Sequence, residues 1–582
     1  MILQALTEYY DRRAADPESG IAPPGWEWKA LPFLVEIDRR GSFVQLVDTR
    51  MPEGKRVVAT RYLVPKAVIR TSGVKANLLW DNIEYALGAE AGTETPSARA
   101  GRQHNAFIAA IEAHFGPAPA DADLALLLRF ARHVPMKAIR ADAHWAEASA
   151  ANSFVSFRIA GETALLCQSD AVRATLAGSS VTGASVPGGT GTCLVTGAQG
   201  PIARLHPPVK GVRGANTSGA NIVSFNLPAF ESYGREQGNN APVGEAAAFA
   251  YTTALNSLLA SGSRQRALVA DATVAFWGER REATALEEAL AALFSEPAKD
   301  DPHAGTAALA ALYAAHRSGA VPADDGGRFY VLGLAPNAAR LAVRFWQVGT
   351  VREIGERIVE HFDDLEIVHG PRDPERPTLF RVLAGTAVQG RADDVSPLLG
   401  GEVVRSILAG APYPAPLLEG AIRRSRAEQD VRYIRAATIK ACLNRLVRSS
   451  RLHAKELTVS LDLENPDPAY RLGRLFAVLE RAQEWASPGL NATIRDRYYG
   501  AASTTPLAVF PRLLALKNHH VAKIDSTGRQ IWVERNIGEI MDGIPGIPSH
   551  LTLAAQGAFA VGYYHERQSF FAPKTETQEG TH

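Results

Sequence analysis

The sequence predicts an α+β protein: a mixed α/β N-terminal part with antiparallel strands over residues 1–345, then a helical bundle over residues 346–582. Three observations carry this. LPFLVEIDRRGSFVQLVDTR reads as two strands joined at Arg40-Gly41, a β-hairpin. From about Val351 onward, apolar residues recur at three and four spacing almost throughout. The length of 582 residues is that of two to four domains.

In chain order, residues 1–13 form a short helix with Ile2, Leu3 and Leu6 on one side. GIAPPGWEW is a loop, and RYLVPKAV a further strand. HNAFIAAIEAHFG and ADLALLLRFARHV are amphipathic helices. Their His104, His114 and His133 have no metal-site spacing. NSFVSFRIAG and TALLCQS are strand-like, and the stretch from Val186 to Gly211 reads as strand, turn and strand. Cys193 there has no zinc-spaced partner and is expected to be a buried thiol. LVADATVAFWG and FYVLGL are strands, with Phe276 and Trp277 in the core, and residues 282–300 are a helix. Asp324-Asp325 is expected to be a solvated turn, although two carboxylates also suit a metal. Six helical runs follow, from VREIGERIVEHFDDL to LTLAAQGAFAVGYYHERQSFF, and PKTETQEGTH reads as a disordered tail.

Three stretches stand out chemically. Gly211 to Asn256 is dense in glycine and carboxamides, including Asn216, Asn221, Gln237, Asn239 and Asn240, and runs into an apolar helix from Ala246. Carboxamides both donate and accept, so they suit base edges, turns and buried networks alike. Gly54 to Trp80 carries Lys66, Arg70 and Lys75 with no acid after Glu53. Its RTSGVKAN turn can offer donors to an anion or base edge. The same lysines would also keep a sheet edge from pairing. Arg423 to Lys455 holds ten Lys or Arg against Glu428 and Asp430. On helices this gives a basic face for a phosphate backbone, or a solvated face balanced by acidic neighbours.

Composition limits the function. Lys+Arg is 62 and Asp+Glu 61, a formal net charge of +1, so nucleic-acid contact must come from local patches or partners. Three distant cysteines form no disulfide framework, which fits a reducing cytoplasm. The N-terminus lacks the pattern of a signal peptide, and the apolar run at 304–315 is too short to span a bilayer. No GxxxxGK[ST], HExxH or GxSxG occurs, which lowers the expectation of catalysis, and no cofactor is expected.

Several strings together resemble the large subunit of the type I-C CRISPR Cascade complex: RTSGVKANLLWDN, GANTSGANIVSFNLPAFESYG, QGNNAPVGEAAAFAYTTALN, YVLGLAPNAARLAVRFW, YRLGRLFAVLERAQ and GAFAVGYYHERQ. The resemblance implies a cytoplasmic, non-catalytic subunit of an RNA-guided antiviral complex. Such a subunit recognises a protospacer-adjacent motif in duplex DNA, helps to open the duplex and stabilises the R-loop. Its partners are the guide RNA with backbone and small subunits, target DNA with its displaced strand, and a helicase–nuclease that cuts. Residues 1–345 would read the motif and dock on the complex, and residues 346–582 would act like a small subunit on the displaced strand. Within that role, residue chemistry nominates Lys75, Asn77, Asn216, Ser218 and Asn221 for the motif. Gln237, Asn239 and Asn240 are nominated as a strand-separating wedge. Lys66, Arg70, Lys210, Arg213, Arg432, Arg435, Lys440, Arg445 and Arg448 are nominated for the nucleic-acid backbone. The family's internally translated small subunit would need a non-AUG start, since Met51, Met136 and Met541 lie elsewhere. Two rivals stand beside this reading: a scaffold that touches no DNA, and a metal-dependent nuclease.

Overall fold

The structure is a computed structural model describing residues 2–53, 56–68, 70, 73–90, 97–179, 189–280, 284–294, 310–312, 314, 327–391 and 394–571. Thr71, Ser72, Asp324, Asp325 and the 573–582 tail fall outside the described residues. Packing divides the chain into two units. One contains residues 1–209 and 223–257, the other 210–222 and 258–582. The 345/346 boundary expected from sequence falls inside the strand Arg340–Thr350. The boundary by packing puts the strands of residues 266–350 with the C-terminal helices.

The first unit is built on a four-stranded mixed sheet. Phe33–Ile37 pairs antiparallel with Phe43–Asp48 and parallel with Phe154–Ile159, which pairs antiparallel with Trp80–Asn82. The hairpin turns at Gly41, whose φ of +85° favours a residue without Cβ. Apolar side chains on the sheet meet two helices. Phe157 lies 6.1 Å from Phe107 of Ala98–Phe115 and 5.9 Å from Phe130 of Ala122–Arg132. Glu36 and Arg158, opposite in the parallel register, pair at 2.7 Å, so burial leaves neither charge alone. The helix Glu245–Leu258 begins where the carboxamide-rich segment ends. Its Phe249 contacts Tyr10 edge-on, with ring centroids 5.6 Å apart.

Two sequence expectations are corrected here. Part of GIAPPGWEW is a strand, because Trp26–Ala30 pairs with Arg61–Pro65 and the Trp26 ring needs burial. TALLCQS forms a short 3₁₀ turn at Leu166–Gln168, closed by Leu165 N–H donating to the Gln168 carboxamide.

The second unit starts with an antiparallel meander of Arg266–Val269, Ala272–Gly278, Arg328–Asn337 and Arg340–Thr350. Phe276, Phe329, Val331 and Phe345 join a core with Leu290, Ile354 and Ile358 of adjoining helices. Thr350 caps the next helix, Val351–Leu365, reciprocally with Glu353. The remaining helices pack around Pro468–Ala486 and Leu553–Ser569. These two approach closely at glycines: a Cβ on Gly473 would sit 2.1 Å from the Phe559 carbonyl, and one on Gly562 2.2 Å from that of Tyr470. Phe476 centres the aromatic packing, touching Tyr499, Phe510, Phe559 and Tyr563. No described helix is long and apolar enough to cross a membrane.

Buried histidines make the fold sensitive to acid. Tyr470 Oη donates to Nδ1 of His565 at 2.9 Å, and Tyr413 Oη to Nδ1 of His361 at 2.6 Å. Burial pushes His565 down to about 4 and His361 down to about 3, the latter helped by the nearby Arg445 charge. The unfolded chain takes up these protons near the ordinary 6.5, so between that pH and 3–4 it binds more protons than the folded chain. Stability contributed by each histidine therefore falls as pH drops through this window, by about 1.4 kcal/mol per pH unit. Buried Glu480 and Glu566, raised by burial, pull the other way at acid pH. Urea unfolding of wild type and His565→Gln between pH 4.5 and 7 should isolate the histidine's share as a shallower pH slope in the variant. Equal slopes would mean that His565 is not held neutral.

Candidate nucleic-acid interface

In the first unit, the segment around Lys75 is folded by its own polar groups. Asn77 is buried, its Oδ1 accepting from Val68 N–H at 3.0 Å. Its own N–H donates to Asp81 at 2.9 Å. Asp81 is fully buried, which pushes its carboxyl up, against the Asn77 N–H and the Arg70 charge that favour the ionised form. Arg70 pairs with Asp81, donates through Nε to the Lys75 carbonyl at 2.7 Å and lies 4.2 Å from the Tyr85 ring centroid. Asn77 is thus committed to shaping the turn, Arg70 braces it while keeping an exposed edge, and Lys75 is exposed. Lys66 is half-buried, 4.8 Å over the Phe249 ring, and burial lowers its pKa. Sequence reading nominated Lys75 and Asn77 for the motif and Lys66 and Arg70 for the nucleic-acid backbone; burial on Val68 and Asp81 withdraws the Asn77 side chain, a correction to its nomination.

In the second unit, residues 210–222 form an anchored polar turn. Lys210, Arg213, Asn216 and Ser218 are exposed, and Asn221 is half-buried. Val212 and Ala220 are buried anchors. Arg213 N–H donates to Thr273 Oγ1 at 2.9 Å. Gly219 N–H closes the turn on the Asn216 carbonyl at 2.9 Å, and Leu341 N–H donates to the Asn221 carbonyl at 2.9 Å. Asn221 so extends the sheet edge at Arg340 through its backbone. Gly211 (φ +87°) has no room for a Cβ, which would lie 2.5 Å from the Leu259 carbonyl. The backbone is pinned at both ends while Asn216 and Ser218 project.

The carboxamides further along act mostly within their own loop, in the first unit. Asn240 Oδ1 accepts from Ser232 N–H at 2.9 Å, and its Nδ2 donates to the carbonyls of Arg235 and Gln237 at 2.8 and 3.0 Å. Gln237 Oε1 accepts from Arg204 at 2.7 Å, and Asn239 N–H donates to the Glu236 carbonyl at 3.1 Å. All three are half-buried. The loop they hold carries Tyr233, which is 98% exposed. Sequence reading missed Tyr233; its signal was one aromatic beside a glycine in the polar run ESYGRE.

The basic run of the helical region divides. Arg435, Lys440 and Arg445, on the helix Tyr433–Arg448, are each 3% exposed. Arg445 Nε pairs with Asp364 at 2.5 Å, and its Nη1 donates to the Ser406 and Ala411 carbonyls. Lys440 donates to the Asp364 carbonyl at 3.0 Å, and burial lowers its pKa. Arg435 pairs with Glu428 at 2.7 Å and donates to the Gly385 carbonyl at 3.0 Å. These three are interior cations, a correction to the continuous basic face expected from sequence. The charge opposing Arg445 is Asp364, far away in the chain, whereas Arg435 keeps the nearby Glu428. Arg448 is exposed at its edge yet also pairs with Asp364. Arg423, Arg426, Arg432 and Arg451 stay exposed, Arg432 lying 3.3 Å from Asp430.

Cys167, Cys193 and Cys442 are buried free thiols. Among the described residues, no group of three or more His, Cys, Asp or Glu side chains is placed to hold a metal ion. Comparison with family models gives a match over residues 6–571 to the family described as CRISPR-associated protein (Cas_Csd1). Comparison with curated proteins gives no match.

The internal role of Asp364 has a measurable consequence. Asp364→Asn leaves Arg445 buried beside a neutral group and should destabilise the fold by about 3–5 kcal/mol. Exposed Arg423→Ala should stay within about 0.5 kcal/mol. Denaturant unfolding of both variants checks this, and a mild Asp364→Asn effect would mean that water reaches the pair.

Proposed function

Because this chain belongs to the CRISPR-associated Csd1 family, whose members are Cascade subunits, we propose that it is the large subunit of a type I-C surveillance complex and reads the protospacer-adjacent motif in duplex DNA. The observation that supports this best is the turn at residues 213–219. Asn216 and Ser218 project from a backbone fixed by Thr273 and by the pairing of Asn221, with Lys210 and Arg213 beside them. A fixed turn with exposed donors and acceptors can discriminate base edges, and its flanking cations hold phosphates. Lys75, exposed in the first unit, is a separate candidate cation for the nucleic acid. Guide pairing reads the remaining sequence, and the protein reads only the short motif.

In this reading residues 1–345 recognise the motif and dock on the complex, while residues 346–582 lie along the displaced strand and stabilise the R-loop. Exposed Arg423, Arg426 and Arg432 supply phosphate contacts there. The chain breaks no bond itself; a recruited helicase–nuclease does so.

The test uses the chain assembled with guide RNA and partner subunits. Wild type should bind a matched duplex more tightly with the motif than without it. Lys75→Ala/Asn216→Ala/Ser218→Ala should lose about tenfold or more of that preference, since one good base contact is worth about 1–3 kcal/mol. Undiminished preference would place the reader elsewhere, and loss of assembly would favour a scaffold.

Arg423→Ala/Arg426→Ala/Arg432→Ala should instead weaken binding alike for all sequences. The slope of log affinity against log salt should fall in size by about 0.7 for each single-strand phosphate that is no longer neutralised. An unchanged slope would remove this surface from the displaced-strand path.

A further inference from the structure

We propose that Asn337, at the tip of the hairpin formed by Arg328–Asn337 and Arg340–Thr350, reads one base pair of the motif beside the pair read by the 213–219 turn. The inference rests on the motif-reading function above. It adds to that site a specificity-determining side chain from a second element of the same packing unit.

The two turns are neighbours through their backbones. Asn221 and Arg340 form a parallel bridge, in which Leu341 N–H donates to the Asn221 carbonyl at 2.9 Å and Asn221 N–H to the Ala339 carbonyl at 3.4 Å. Gly214 lies against Pro336, and a Cβ on Gly214 would come 3.3 Å from the proline ring. The hairpin tip is thus held against residues 213–221 on both sides of Asn337, by Pro336 before it and by Ala339 and Arg340 after it.

The tip is stiff because its strands enter the core. Phe329, Val331, Leu334 and Phe345 are buried, and so is Leu341, opposite Pro336 in the register. Beyond that pair the chain reverses at once. Asn337 pairs with Arg340 across the two-residue loop Ala338-Ala339, and Ala338 is left-handed at φ +53°. Glycine or asparagine is the usual residue at such a hairpin position, so alanine is held there at a conformational cost. Both loop residues carry only methyl groups, so no bulky side chain next to Asn337 keeps a ligand at a distance. A carboxamide on this mount is positioned before any ligand arrives, which lowers the ordering cost of binding.

The side-chain chemistry at the tip is uncommitted. Asparagine at a turn commonly bonds the backbone of its own turn. Asn337 is exposed, and among the described residues its carboxamide takes part in no hydrogen bond. Asn216 and Ser218 are exposed on the adjoining turn. Residues 213–219 and 336–340 together hold two arginines, Arg213 and Arg340, and no carboxylate. Nor do they expose a large apolar side chain of the kind that anchors a protein contact. Carboxamides and hydroxyls beside cations, with no acid among them, suit a polyanion whose base edges carry donors and acceptors. Side chains from two separate turns meet two separate base pairs, and so discriminate at two positions of the motif.

The experiment is a scan of the motif with the assembled complex. Affinity is measured for wild type, Asn216→Ala and Asn337→Ala on matched duplexes that carry each single base-pair change in the motif. Asn337→Ala should lose about 5- to 150-fold of discrimination at one position. Asn216→Ala should keep its discrimination there. Asparagine carries no charge, so the slope of log affinity against log salt should stay as in wild type. Urea unfolding of Asn337→Ala should match wild type, which separates lost reading from lost structure. Four results overturn the proposal: discrimination by Asn337→Ala equal to wild type at every position, a loss spread evenly over all positions, a loss confined to the position that Asn216→Ala relaxes, or loss of a subunit from the Asn337→Ala complex. Failure of the motif-reading function itself is seen separately, as a wild type that does not distinguish duplexes with and without the motif.

Discussion

The helical region depends on the neutralisation of one buried carboxylate. Asp364 ends the helix Val351–Leu365 and is 3% exposed. A charge removed from water must be paired or must disappear, and Asp364 is paired with Arg445 from inside and Arg448 from the edge. Lys440 bonds the carbonyl of the same residue, and Arg445 bridges onward to two more carbonyls and the face of Tyr413. Around a single position these contacts fix the rotation of the helix Tyr433–Arg448, and so decide which of its cations face solvent. A second pair, Arg474 with Glu566 at 2.9 Å, does the same between the Pro468–Ala486 and Leu553–Ser569 helices, where the glycine contacts already bring the backbones together. Both pairs are specific in direction: a one-residue helix rotation would strand a charge in the core.

That constraint explains what could be read from the chain and what could not. The hairpin at Gly41, the helix Val351–Leu365 and the long C-terminal helices were legible, because their apolar periods are local and strong. The Trp26–Ala30 strand was hidden behind Pro23-Pro24-Gly25, whose turn chemistry dominates the reading although its partner is the distant Arg61–Pro65. The fate of the basic run was hidden for a related reason. Counting neighbours in sequence finds Glu428 and Asp430, whereas the acid that draws Lys440 and Arg445 inward lies some 80 residues upstream. Periodicity shows which residues share a helix face, but not which charge waits on the helix packed against it.

The carboxamides teach the same lesson on a smaller scale. In sequence, Asn77, Asn216, Asn221, Gln237, Asn239 and Asn240 are equivalent polar residues near glycines. In the structure they separate by what their backbone neighbours lack. Val68 N–H lacks a backbone partner, and Asn77 supplies it. In the 232–240 loop, Asn240 supplies the donors for the Arg235 and Gln237 carbonyls. Asn216 sits where Gly219 has already closed the turn, so its side chain is left to project. A carboxamide is displayed where the backbone around it is already satisfied.

With a net charge of +1, this chain has no global field to draw DNA towards it, and the interior pairing of Arg435, Lys440 and Arg445 reduces its surface cations further. In the proposed reading, long-range capture of DNA falls to partner subunits. What the chain itself can contribute is geometry at short range: a pinned turn with exposed polar side chains and a lysine on a self-braced loop. Contacts of that kind discriminate without adding much salt-dependent attraction, because they act on bases more than on phosphates. For the proposed motif-reading role, weak electrostatics joined to stiff, local contacts is the arrangement that permits quick release of wrong DNA.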